Sequence, residues 1–352
     1  MRRQEYKQIS RKRSGKRLTI KISLLVALIA FTFVVGYGVF LQKKATDAAK
    51  RAYEALGDRA KSELRDEAVE PLKDNVSILF IGVDDSDKRK DSGNARSDAL
   101  LVATLNNKEK TVKLLSIPRD SYVYVPSRGR QDKITHAHAF GGTKGTIDAV
   151  EGFLDIPIDY YVKMNFNAFI EVVDALGGIK AEVPYDRVEL DENDRRTIEL
   201  KKGLQHLDGK HALALARTRK LDSDVERGKR QQMILQAIMN KAFSVQSITK
   251  YGDVIDAIGD NMKTNMTYNE MKSFLEYAKG GMPEVTAINL DGTDDMTTGI
   301  YYWMLDEEEL ENVKFELQTH LELSPYSRTL TDKGVEINDQ NESADESVYT
   351  DE

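Results

Sequence analysis

The sequence predicts an α/β domain with a mixed sheet, arranged as an α-β-α sandwich outside the cytoplasm, behind one N-terminal transmembrane helix. Three observations predict it. Residues 22–41 (ISLLVALIAFTFVVGYGVFL) are twenty residues without a charge, and a helix of that length spans about 30 Å, enough for a hydrocarbon core. The continuous apolar runs 76–83, 99–105 and 111–117 read as buried strands. Later strands alternate with helical stretches, while strands two and three form a hairpin, so the sheet is mixed and an α+β order stays open.

Nine Lys or Arg residues precede the apolar span, with Glu5 the one acid among them. That bias places residues 1–21 in the cytoplasm and everything after the span outside it. The run is longer than a signal-peptide core and is followed by Gln42, Lys43 and Lys44, so it reads as a retained anchor. Residues 42–74 are rich in Ala, Glu, Lys and Arg, and Ala49, Tyr53, Leu56, Ala60 and Leu64 recur at helical spacing. They predict a helical stalk or linker, or a helix packed on the domain.

The domain itself runs from 75 to 323. Asp84 and Asp85 close the first strand, Arg96-Ser97-Asp98 opens the second, and Pro118-Arg119-Asp120 stops the third. Helices are expected at 145–153, at 167–176 with a stop at Gly177-Gly178, at 208–215, at 224–243, near 268–279 and near 306–320. Short strands are expected at 160–164 and near 284–290. Residues 186–200 read as a polar loop, and the acidic stretch 324–352 as a disordered tail.

The composition excludes several classes. With no cysteine there is no disulfide, thiol nucleophile or thiolate metal site. The net charge is −7 although the N-terminal segment is strongly basic, so the domain lacks the basic footprint of a nucleic-acid binder. No Walker A, G-x-S-x-G or H-E-x-x-H pattern occurs. His136 and His138 form an H-x-H pair without an evident third ligand, which favours fold or surface histidines over zinc.

Two clusters remain. In a hairpin the start of one strand lies beside the end of the next, so Asp98 and Arg119 are expected as neighbours. Asp84 joins them if the first strand runs parallel to the third. Two carboxylates there suit a hard divalent cation, although Asp is also common where strands end. The second cluster is Arg217–Arg230, in which six of fourteen residues are basic. Arg217 and Arg219 share a side if the segment is extended. Arg227, Arg230 and Gln231 share a face of the following helix, and the stripe continues through Ile234 and Ile238. Guanidinium forks near a helix N-terminus suit a phosphate, against the plainer reading of a solvated charged face. Lys133 is placed to add a further phosphate contact.

The segments ILFIGVDD (78–85), ARSDALLVATLN (95–106), SIPRDSYV (116–123), DKITHAHAFGG (132–142), YYVKMNFNAFIEVVDALGGIKAEVP (160–184) and ALARTRKLDSDVERGKRQQMIL (214–235) together resemble the LytR-CpsA-Psr family of Gram-positive cell-envelope proteins. The resemblance implies a phosphotransferase. It would move a teichoic acid, capsule or related polysaccharide from an undecaprenyl-pyrophosphate carrier onto peptidoglycan, with the lipid in an apolar tunnel. Asp84 and Asp98 match the family's Mg²⁺-linked aspartates, with Mn²⁺ as the alternative cation. Arg119, Arg217, Arg219, Arg227 and Arg230 match arginines around the pyrophosphate, and Gln231 and Lys133 match further head-group contacts. The sequence departs from the family pattern at Thr135, where Asn is common. A polyprenyl-pyrophosphate hydrolase and a non-enzymatic membrane regulator are the alternatives.

Overall fold

Strands whose residues are apolar on both sides need cover on both faces. The run Val76–Val83 (β1) meets that need: Leu79, Ile81 and Val83 point into one core, and Val76 and Ile78 into another. The computed structural model describes residues 32, 35–83, 97–192, 194–218, 224–242, 259, 262–277 and 283–323. The cytoplasmic segment 1–21, most of the apolar span 22–41 and the tail 324–352 lie outside the described residues. Among the described residues no helix is long and apolar enough to cross a membrane.

β1 is followed by Ser97–Asn106 (β2), Thr111–Ile117 (β3), and the hairpin of Tyr122–Val125 (β4) with Arg130–Lys133 (β5). A helix (α1) occupies 35–52, and α2 runs Thr135–Leu154. Then come Tyr160–Asn165 (β6), Phe166–Ala175 (α3), Ile179–Val183 (β7), Arg187–Leu190 (β8), Arg196–Leu200 (β9) and Gly203–Leu207 (β10). The helices Gly209–Arg217 (α4) and Asp224–Ala242 (α5) follow. Met262–Thr264 (β11), Tyr268–Tyr277 (α6), Glu284–Asn289 (β12), Gly292–Asp295 (β13), Tyr302–Leu305 (β14) and Glu307–His320 (α7) complete the order.

The central sheet has the order β11-β6-β1-β2-β3-β12. β1 pairs parallel to β6 and antiparallel to β2, and β3 pairs antiparallel to β2 and parallel to β12. So β1, β3, β6 and β12 end at one edge, and β2 begins there. The mixed sheet is as expected. One face packs on α2 and α7 through Ile147, Val150, Val313 and Leu317. The other meets α5 and α6 through Leu235, Met239 and Phe274. Beyond α5 a third cluster joins α3, α4, β7, β9 and β10.

Three expectations are corrected. The helix expected along 42–74 stops at residue 52, and the chain beyond it is tied to the domain without regular structure. Ala48, Ala49, Ala52 and Leu56 are buried. Arg59 forks onto Glu151 at 2.6 and 3.1 Å, and Arg65 reaches Asp159 at 2.8 Å. These long-range ion pairs hold the segment in a path that an isolated helix pattern does not register. Residues 186–200 are not a polar loop but the antiparallel hairpin β8–β9. Its apolar residues Ile198 and Leu200 are buried in the third cluster, a contact set by tertiary packing rather than by local composition. The helix expected at 145–153 is longer, starting at Thr135 and kinking at Gly142, whose φ is 60°.

Candidate functional site

In open α/β sheets the crevice beyond the carboxyl ends of the strands is where ligands bind. Here that edge gathers charge. Asp98 is the second residue of β2, and Arg119 lies two residues past β3. Pro118 ends β3, and its carbonyl accepts from the Ser121 amide at 3.0 Å and the Ser121 hydroxyl at 2.7 Å, fixing the turn that presents Arg119. Arg119 donates to Asp98 at 2.6 Å and to Asp120 at 3.3 Å. Thr135 adds to this edge: its hydroxyl donates to the Ser97 carbonyl at 2.7 Å, and its amide to the Arg119 carbonyl at 3.1 Å. At this position Thr135 therefore braces the backbone on both sides of the Asp98–Arg119 pair.

The second cluster arrives on α4 and α5. Asp208 caps α4 by accepting from the His211 amide, and Arg217 closes it. The Arg217 guanidinium lies 4.3 Å from the Phe166 ring centroid. It donates to the Asp191 carbonyl and to the Asp194 carboxylate, both at 2.9 Å. Arg227 is 4 % exposed in the first turn of α5. Its neighbour Gly228 lets that turn press on β3, since a Cβ there would collide with the Ser116 side chain. Gln232 anchors the same helix by donating to the carbonyls of Leu114 and Ile288, both at 2.8 Å.

Between the sheet and α3, α4 and α5 lies a cavity of about 480 Å³, within the usual range for a small-molecule site. Asp98, Arg119, Arg217, Arg227 and Gln231 line it, together with Phe80, Leu101, Phe169 and Leu213. Along α5 the lining changes from Arg227 and Gln231 to Ile234, Leu235 and Ile238, a passage from charge to hydrocarbon over about 16 Å of helix. The cavity has the shape of an amphiphile: an anionic head among arginines, a tail between helices and sheet.

The structure does not bring every expected residue to that lining. Arg230 is 6 % exposed and donates to the Thr218 carbonyl at 2.8 Å, bracing α5 against the end of α4. Lys133 pairs with Asp120 at 2.9 Å, beside the cavity rather than along it. Asp84 and Arg219 lie outside the described residues. Arg217 is helical, not part of an extended segment. His136 pairs with Asp132 at 2.9 Å. Burial pushes the Asp132 carboxyl up, but the Lys133 amide, His136 and Arg128 together hold it below its usual range.

Sequence reasoning missed the acids that hold the arginines. Glu189 is buried and accepts from the Thr218 hydroxyl at 2.5 Å and from Arg187 at 3.0 Å. It lines the cavity with Asp194. The available signal was four acids between 189 and 194, but composition alone reads the same for a solvated turn.

A family model described as the LytR_cpsA_psr family matches residues 39–319. The chain belongs to that family. Among LytR_cpsA_psr relatives, the polyisoprenyl-teichoic acid–peptidoglycan teichoic acid transferase TagT of Bacillus subtilis is 39% identical over 316 residues, covering 88% of this chain and 98% of TagT. A solved structure of TagT bound to LI-WTA matches with a TM-score of 0.67 at 40% identity, covering 77% of this chain and 100% of that one. A further structure, a LytR-CPS2A-psr family protein (TagT) with bound octaprenyl pyrophosphate lipid, matches with a TM-score of 0.63 at 38% identity over the same shares.

Among the described residues no three His, Cys, Asp or Glu side chains group as a metal site. That donor set does not fit a closed cage. Of the two aspartates expected at a cation, Asp98 stands at the cavity edge and accepts from Arg119 at 2.6 Å, and Asp84 lies outside the described residues.

Proposed function

We propose that this protein transfers a glycopolymer of the teichoic-acid type from a polyprenyl-pyrophosphate carrier to peptidoglycan, releasing polyprenyl phosphate. The observation that carries this reading is the cavity, apolar along α5 and ringed at the sheet edge by Asp98, Arg119, Arg217 and Arg227. A relative of the same family holds octaprenyl pyrophosphate, and relatives are named teichoic acid transferases. Undecaprenyl is the carrier assigned here, and capsule or a related polysaccharide is the alternative cargo.

In this reaction an acceptor hydroxyl oxygen attacks the phosphorus that bears the sugar. The bond from that phosphorus to the bridging oxygen breaks, a phosphodiester forms, and the bridging oxygen leaves on polyprenyl phosphate. The hydroxyl proton passes to a carboxylate at the sheet edge. Such chemistry is mostly positioning and electrostatic stabilisation. Arg119 and Arg217 meet the non-bridging oxygens as planar forks, and buried Arg227 supplies charge in a water-poor setting where it acts more strongly. Gln231 orients the head group. Asp84 and Asp98 would hold Mg²⁺, or Mn²⁺, which would supply charge neutralisation at the diphosphate. Residues 22–41 anchor the chain with its N-terminus in the cytoplasm, so the site works outside the cell beside its membrane-confined donor.

The test is reconstitution. The purified full chain is mixed with a synthetic polyprenyl-pyrophosphate-linked saccharide, peptidoglycan oligomers and Mg²⁺, and products are read by mass spectrometry. A saccharide joined to peptidoglycan by phosphodiester supports transfer. Saccharide phosphate released to water alone makes the protein a hydrolase, and an inert mixture leaves the regulator reading.

A further inference from the structure

The hairpin β4–β5 begins two residues after Asp120, and its outer face lies outside the donor site. Along β4 the side chains alternate: Val123 and Val125 are buried, while Tyr122 and Tyr124 are 36 % and 53 % exposed. The register sets Tyr122 opposite Lys133 and Tyr124 opposite Gln131, and paired residues share a face. A third ring joins them, because Tyr302 of β14 meets Tyr122 edge-on at 4.8 Å between centroids. Lys133 lies 5.6 Å from the Tyr302 centroid. The result is a shelf of aromatic rings bordered by an amide and an ammonium group.

The shelf is continuous with the donor site through one carboxylate. Asp120 touches Arg119 at 3.3 Å on one side and Lys133 at 2.9 Å on the other. Its backbone carbonyl also accepts from the Trp303 amide at 2.9 Å, which fastens β14 to the same turn. Tyr122 and Tyr124 are about 7 Å apart along the strand, so successive rings of one chain can lie over them.

We propose that this face is the acceptor subsite and that it takes a glycan strand of N-acetylhexosamines. The assignment rests on the transfer reaction proposed above. A pyranose ring presents C–H groups on its faces and hydroxyl or amide groups at its rim. Tyrosine offers a rigid apolar body with a polar tip at small entropic cost. Gln131 supplies both donor and acceptor, and Lys133 donates to hydroxyls or to carboxylates carried by the strand. A lipid chain would find no enclosed hydrocarbon here, since that space lies on the other side of Arg119. A strand bound on this shelf leads its hydroxyl toward the Asp98–Arg119 pair.

The chain contains a single tryptophan, Trp303, which follows Tyr302 in β14 and is buried behind the shelf. Its emission is the readout, with calorimetry alongside, for titration of the full-length protein in detergent with a β-1,4-linked N-acetylglucosamine tetramer. Saturable binding is expected. Tyr122→Ala and Tyr124→Ala should each weaken it about tenfold, the loss expected for one stacked ring. Binding of polyprenyl phosphate should change less than about twofold, below what one lost contact of the lipid would cause. Absence of tetramer binding, or variants that bind it like the parent protein, would overturn the subsite while leaving the transfer reaction standing. Tetramer binding that needs the tyrosines, in a protein that performs no transfer, would uphold the shelf as a glycan site and sink the reaction.

Discussion

Arg119 holds the Asp98 carboxylate at 2.6 Å, tying the end of β3 to the start of β2 beside the cavity. The pair is about a quarter exposed on each side. Its consequence is chemical: in the proposed reaction the guanidinium is the group that would meet the diphosphate oxygens. Arg119→Ala should lower transfer by about 10²–10³-fold, the cost of losing one oriented charge donor. Arg119→Lys should recover only part of it, because an ammonium lacks the planar fork. Single-turnover rates on the lipid-linked donor measure this, with circular dichroism as the control. Near-normal turnover in Arg119→Ala would remove this residue from the mechanism.

Arg217 is already occupied in the absence of substrate. Asp194 takes its Nη2 at 2.9 Å, and that carboxylate is more than a third exposed. An incoming phosphate therefore competes with Asp194 for one arm of the fork. An exposed pair contributes about 0.2–1 kcal/mol. Asp194→Ala should accordingly tighten binding of inorganic pyrophosphate by up to about fivefold. Arg217→Ala should weaken it and cut transfer. Isothermal titration decides, and weaker binding in Asp194→Ala would mean the acid orients Arg217 instead of competing for it.

Ile238 lines the apolar end of the cavity, three turns of α5 away from Arg227. Ile238→Trp fills that end without touching the charged ring. Prenyl lipid should then bind at least about tenfold more weakly, since each displaced methylene removes about 0.8 kcal/mol. Water-soluble pyrophosphate should bind as before. Equal effects on both ligands would place the lipid elsewhere.

What the sequence disclosed follows the range of the interactions involved. β1, β2 and β3 were readable because strands covered on both faces are apolar throughout. Asp98 and Arg119 followed from hairpin geometry, and Arg227 with Gln231 from helical spacing. The hairpin β8–β9 was not readable. Its strands are four and five residues long, and their buried side follows from contact with α4. The partners of Arg217 were hidden for the same reason: Asp191 and Asp194 precede it by 26 and 23 residues. Arginine identity announced an anion, whereas its competitors emerged only once the hairpin was folded beside α4. Lys133 shows the converse. The resemblance gave it a head-group role, while its pairing with Tyr122 and Asp120, which places it beside the cavity, was not readable from local sequence.

His320 links stability to pH. It closes α7 at 4 % exposure, and its ring nitrogens meet the hydroxyls of Thr104 and Thr111, each at 2.8 Å. A neutral imidazole serves one hydroxyl as donor and the other as acceptor, whereas the cation must donate to both. Burial, then the nearby Lys113 ammonium, push its pKa below the ordinary 6.5. Above that value both folded and unfolded chains carry a neutral ring, and the full stability is present. As pH falls below it, the unfolded chain takes up a proton that the folded one refuses, and stability is lost down to the folded pKa at up to about 1.4 kcal/mol per pH unit. His320→Gln removes the titration. Thermal melts from about pH 7.5 to about pH 5 should show a steeper fall in Tm for the parent protein than for the variant. The carboxylates are common to both proteins and cancel in the difference. Parallel Tm curves would show that His320 keeps the same proton affinity folded and unfolded.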